Sequence, residues 1–155
     1  MDKQSPLHIV CAVRGGRESR ETVTKAIDLA LEHGARLTFL HILDAEFLEY
    51  ATIGPMSVVY SELHDMGEFA MLILADRATR RGVTDVDYVM PEGNIQTELS
   101  NYAQRTGVEM MVIGRPTRSP GRNVFKINEF DDFMANLERE ANLRIIKVPA
   151  TPTDQ

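Results

Sequence analysis

Residue types with opposite preferences for anions share one stretch of this chain. From Gly107 to Phe133 it reads GVEMMVIGRPTRSPGRNVFKINEFDDF. Arg115, Arg118 and Arg122 could grip a phosphate through charge and forked hydrogen bonds. Gly114 and Gly121 would let backbone approach an anion closely. Asp131 and Asp132 then stand where a helix is expected to begin. Carboxylates suit a helix N-terminus but repel a phosphate there. The stretch therefore combines an anion site with a block against it.

The elements that must place these groups follow from pattern. Val108 to Ile113 is a short apolar run, the mark of a buried strand, and the space beyond a strand's carboxyl end is where open α/β sheets bind ligands. Similar runs lie at Leu7–Val13, Arg36–Leu43, Asp85–Met90 and Leu143–Val148. Between them come helical patterns. The first is capped at Ser19, carries Val23, Ala26, Ile27 and Ala30 inward, and ends at Gly34. The second runs over Ser57–Arg81 with an inner stripe of Val59, Leu63, Met66, Ala70, Ile73 and Leu74, and Gly67 weakens it by roughly 1 kcal/mol relative to Ala. The third is capped by Asn94, turns Ile95, Leu99, Tyr102 and Ala103 inward, and closes at Gly107. The fourth carries Phe130, Phe133, Met134 and Leu137 on one face. Strands alternating with helices predict an α/β fold, a Rossmann-like open parallel sheet of five strands with helices on both faces.

Composition narrows the function classes. The chain has 155 residues, 43% apolar and 26% charged, which suits one globular domain. A single domain over residues 1–150 with a flexible tail at 151–155 is expected. A net charge of −6 argues against nucleic acid as a partner, and no apolar run has the length of a membrane span. One cysteine, Cys11, allows no internal disulfide and fits a cytoplasmic protein. Cys11 lies inside a strand and reads as core. His8, His33, His41 and His64 show no recognisable metal-ligand spacing, so no metal site is expected. The turn RGGRESR, from Arg14 to Arg20, follows the first strand where a phosphate cradle would lie. It faintly resembles the S-G-G-x-D-S loop of the N-type ATP pyrophosphatases, with Arg14 for the leading Ser and Glu18 for the Asp. An ordinary tight turn is the preferred reading, because no second domain is available to hold an acceptor.

From Leu7 to Val148 the chain resembles the universal stress proteins. The first strand and helix followed by HGARLTFLHILD look like that family's opening, and PEGNIQTELSNYAQRTGVEMMVIGRP resembles its third crossover. The resemblance implies a strand order of 3-2-1-4-5, frequent dimerisation, and either an ATP-binding or a non-binding member. ATP binders carry G-x2-G-x9-G-[S/T] after the fourth sheet strand. Here Gly114 matches the first glycine, Thr117 stands where the second belongs, Gly121 can serve if the loop has grown by four residues, and the closing pair is Asp131-Asp132. An Asp near adenine at the end of the first strand is replaced by Arg14. By the same resemblance, Ala12 and Val13 flank the base and the Ile42 backbone contacts it. These departures imply a non-enzymatic regulatory or interaction module that does not bind ATP in the usual way and needs no cofactor. The alternative is a member whose altered loop, with Arg115, takes ATP or AMP, with or without Mg. A homodimer is expected through the edge strand Leu143–Val148, with Ile145 or Ile146 in the contact, and a protein partner of unknown identity would complete its role. The Pro116–Asn128 loop is expected to be weakly ordered across Arg118–Asn123.

Overall fold

The computed structural model of the chain describes residues 7–13, 20–44, 56–115 and 127–149. Its elements in order are β1 (His8–Ala12), α1 (Arg20–His33), β2 (Arg36–Leu40), β3 (Leu43–Asp44), α2 (Met56–Arg81), β4 (Val86–Val89), β5 (Glu92–Gly93), α3 (Ile95–Thr106), β6 (Met110–Gly114), α4 (Ile127–Ala141) and β7 (Arg144–Val148). The cap expected at Ser19, the turn containing Arg14, the loop containing Gly121 and the tail lie outside the described residues.

Five strands pair in parallel in the order β4-β2-β1-β6-β7. Counting only these five, this is the expected 3-2-1-4-5. The two short strands were not foreseen, and with them included the chain numbering of the sheet shifts. Their origin is local. β3 pairs with β5 in the register that already joins β2 to β4, as Leu40↔Val89 leads on to Leu43↔Glu92 and Asp44↔Gly93. Pro91 lies in the gap, where it has no N–H to offer the ladder. Its carbonyl accepts from the Leu43 amide at 2.8 Å. One long pairing has been cut in two by a proline.

Alternation along the strands divides the core. Ile9, Cys11 and Val13 join Leu37, Phe39, Met110 and Val112 beneath α1 and α2. Val10, Leu40, Met111 and Ile113 lie beneath α3 and α4 with Leu99, Ala103, Phe130, Met134 and Leu137. Complete burial of each such side chain stabilises by about 1.5–3 kcal/mol before entropy is set against it. Helix ends behave as their sequences suggest. Asn94 Oδ1 accepts from the Thr97 amide at 3.0 Å, and Gly107 ends α3 in the left-handed region at φ 64°.

The stripe expected on α2 needs correction. Met66 and Ile73 are 68% and 52% exposed. The buried row instead runs through Gly67, Met71 and Ala78, flanked by half-buried Leu63, Ala70 and Leu74. This helix is apolar on two faces, so periodicity alone could not say which faces the sheet. Gly67 settles the choice. A Cβ there would come within 2.8 Å of Met90 Cε and 3.1 Å of His41 Cδ2, so at this glycine the helix packs directly on the side chains just beyond β2 and β4.

Candidate functional site

The carboxyl ends of β1, β2 and β6 meet, with Ala12 paired to both Leu40 and Ile113. The first residues beyond them are held by backbone bonds. Val13 N donates to Leu40 O at 2.9 Å, His41 N to Val89 O at 3.1 Å, and Arg115 N to Val148 O at 2.8 Å. His41 Nδ1 lies 3.2 Å from Val13 O, a donor position for the Nδ1–H tautomer.

The candidate residues divide by face. Ala12 and Ile42 pack half-buried against the cluster under α3 and α4. Val13 is buried on the opposite side, in the core under α1 and α2. Of the two residues expected to flank a base, Ala12 turns its side chain to the α3–α4 face and Val13 to the α1–α2 face, as the pleat requires. Arg14 and Gly121 lie outside the described residues.

Gly114 has a packing reason to be glycine. A Cβ there would stand 2.8 Å from Thr22 Oγ1. Thr22 is a buried threonine of α1, fixed where the helix crosses the end of β6. The close approach that the sequence suggested for a phosphate is made here by a helix.

Arg115 and Asp131 define the chemistry of this corner. Arg115 Nη2 donates to Asp131 Oδ2 at 3.1 Å, and Nη1 lies 3.1 Å from Oδ1. Lys147 Nζ approaches Oδ1 at 3.6 Å from β7. The Asp131 side chain as a whole is 44% exposed, yet Oδ1 is covered, and among the described residues its charge is met by these two cations. The hydrogen bond from Arg115 holds the Asp131 carboxyl below its ordinary value. Partial desolvation opposes this, and the charges of Arg115 and Lys147 add to it. Arg115 also lies over the Phe130 ring, 5.8 Å from its centroid.

This geometry corrects the expected role of the two aspartates. α4 spans Ile127–Ala141, so Asp131 and Asp132 sit in its second turn rather than at its first free N–H groups. Asp131 therefore does not cap the helix. It lies one turn in from the helix start, where it binds the arginine that follows β6. Asp132 is exposed on α4. Of the candidates, Gly114, Arg115 and Asp131 are brought together, and Lys147 joins them unforeseen. The missed signal was topological, since β7 lies beside β6 and Ile113 pairs with Lys147.

Other groups offer less. Cys11 is fully buried, and burial pushes its thiol far above the ordinary range, which leaves no thiolate for nucleophilic work. His64, Asp65 and Glu68 place one ligand atom each within 4.8 Å of one another, and Tyr88 donates to Glu68 at 3.2 Å. The sequence reading missed this group, although His64 and Glu68 stand one helical turn apart. Asp65 is largely exposed, and a solvated surface cluster is the plain reading. His8 belongs to a polar chain at the opposite end of the sheet. Its Nε2 lies 2.8 Å from Thr38 Oγ1, Thr38 donates to Asp87 Oδ1 at 2.5 Å, and Arg36 Nη2 donates to Asp87 Oδ2 at 2.8 Å.

Comparison with known proteins agrees with this architecture. Among solved structures, UspA of Lactobacillus plantarum superposes with a TM-score of 0.69 at 20% identity, covering 94% of this chain and 99% of its own. A universal stress protein from Burkholderia pseudomallei gives 0.66 at 22% identity, covering 92% and 96%. A universal stress protein solved in complex with cAMP gives 0.63 at 17% identity, covering 96% and 100%. At such identities these likenesses speak for the fold. No curated protein matches the sequence. The family profile described as the universal stress protein family matches residues 7–127, and the chain belongs to that family.

Proposed function

We propose that this universal stress protein is a regulatory or interaction module without catalytic activity, acting in the cytoplasm as a homodimer and not binding ATP through the family loop. One observation carries the reading. Arg115, the first cation beyond β6, is already engaged by Asp131. Among the described residues of the corner, Asp131 cancels one of the two positive charges of Arg115 and Lys147, where a triphosphate would need a strongly positive site. A unit charge at about 4 Å near a protein surface is worth roughly 4 kcal/mol before salt screening. Removing one carboxylate is therefore enough to change affinity measurably.

Isothermal calorimetry with Mg-ATP tests this. The native protein is expected to show no binding at millimolar ATP. Asp131→Gly with Asp132→Ser restores the family pair, releases Arg115, and is expected to bind measurably. Asp131→Asn alone should give most of the gain, since Asp132 is exposed and away from the ion pair. Tight binding by the native chain would refute the block. No gain in either variant would move the defect to the lengthened loop or to Arg14.

A second reading is a nucleotide-binding member with a modified phosphate loop. The likeness of fold to a universal stress protein solved with cAMP favours it. A cyclic monophosphate carries one negative charge, so the Asp131 carboxylate repels it less than it repels ATP. Titration of the native protein with cAMP and AMP beside ATP separates the readings, because binding of the monophosphates alone would favour the second.

A further inference from the structure

The outer face of α2 is built like one half of a helix pair. Met66, Phe69, Leu72 and Ile73 are 68%, 67%, 51% and 52% exposed, and Val58 lies exposed a few turns earlier. An exposed apolar residue needs no explanation by itself, but a continuous row on one helix face marks an interaction surface. The opposite face of the same helix already meets the sheet through Met71 and Ala78, so the row is a second apolar face.

Spacing and charge say what fits it. Glu62, Met66, Phe69, Ile73, Asp76 and Arg80 recur at alternating steps of four and three residues, the seam of an interhelical pair. The centre of the seam is apolar. Its amino end is acidic, with Glu62 and the neighbouring Asp65, and its carboxyl end carries Arg80, which pairs with Asp76 at 2.8 Å. A parallel copy would set Glu62 against Glu62. An antiparallel copy related by a two-fold axis near Met71 sets Phe69 against Ile73 of the second copy and Glu62 against Arg80 of the second copy. The same axis brings Met66 beside Asp76 of the second copy, so the self-complementarity that a two-fold contact requires rests on the Phe69–Ile73 centre and the Glu62–Arg80 ends.

We infer that the outer face of α2 binds a second copy of this chain as an antiparallel helix pair, centred on Phe69 and Ile73 and aligned by Glu62 and Arg80. This contact is separate from β7, because α2 covers the β2–β4 half of the sheet and β7 is the opposite edge. With only a few apolar layers the contact is modest in strength, and its charges set alignment more than affinity.

The test uses the full chain carrying Ile146→Lys, which blocks association through β7, in sedimentation across a dilution series. That protein is expected to dimerise reversibly. Adding Phe69→Glu should weaken the dimer at least tenfold with unchanged circular dichroism. Glu62→Arg should weaken it too, and adding Arg80→Glu to Glu62→Arg should restore it. A β7-blocked protein that stays monomeric at the highest concentration overturns the inference, as does a dimer that Phe69→Glu leaves intact. Failure of the charge swap to restore association overturns the antiparallel alignment.

Discussion

At the scale of the residue, two ionisable groups tie the stability of this protein to pH in separate windows. His8 is held below its ordinary pKa of 6.5, first by burial and then by the charge of Arg36, while Asp87, Glu109 and Asp85 pull the other way. The folded state thus prefers the neutral ring. Above 6.5 His8 is neutral in both states and contributes nothing to pH dependence. As pH falls below 6.5 the unfolded chain takes the proton first, so stability falls until the folded pKa is passed. Asp131 is held below its ordinary 3.8 by Arg115, so its contribution is present above that value and is lost as pH falls through the folded pKa. Urea midpoints measured from pH 8 to pH 3 should therefore decline in two steps. His8→Gln, which keeps a group able to donate to Thr38, should flatten the upper step and leave the lower. Asp131→Asn should flatten only the lower. An upper step that survives His8→Gln would assign it to another group. Sequence could suggest His8 as structural from its place in a strand. It could not supply the Thr38–Asp87–Arg36 chain, which forms only when β2 and β4 lie side by side.

At the scale of the element, glycines mark where helices press on the sheet. Gly114→Ala would put a methyl 2.8 Å from Thr22 Oγ1, and Thr22 is β-branched and buried, with no easy way to yield. The expected cost is about 1–3 kcal/mol of overpacking. Thr22→Ala in the same chain should recover part of it, a coupling readable in a double-mutant cycle by urea denaturation. Additive losses would mean that the strain arises elsewhere. The strands, helices and caps were legible because each is written locally, in apolar runs, Asn94 and Gly107. What was not legible depended on choosing between equivalent patterns. α2 offered two apolar faces, and the correct one includes Gly67, a residue that propensity counts only as a weakness. The split between β3 and β5 was likewise hidden, since Pro91 reads as a strand end although pairing resumes immediately beyond it in the same register. The site was legible as a cluster of types around Gly114 and Arg115. Its wiring was not, because Asp131 meets Arg115 from α4 and Lys147 reaches Asp131 from β7.

At the scale of the whole molecule, the question is how copies assemble. β7 is an edge of the sheet, and an unpaired edge invites a partner. The proposed β7 contact is narrowed by the side chains. Ile145 is buried beneath α4 with Leu137 and Leu143, so it is not available to a second chain. Ile146 points to the other face, where it is partly buried against the α1–α2 core and still in part exposed, leaving it as the apolar residue for a two-fold contact. Near a dyad, Ile146→Lys sets like charges against each other beside Arg144 and Lys147, while its aliphatic stem still covers the site it vacates. If both β7 and the outer face of α2 bind copies, each chain has two separate two-fold contacts and the native protein exceeds a dimer. Ile146→Lys alone and Phe69→Glu alone should each reduce it to a dimer, and the two together to a monomer, with circular dichroism unchanged throughout. A native dimer abolished by Ile146→Lys alone would leave β7 as the sole interface. A native dimer that is indifferent to Ile146→Lys but lost with Phe69→Glu would remove the edge-strand contact and leave α2 to hold the molecule together.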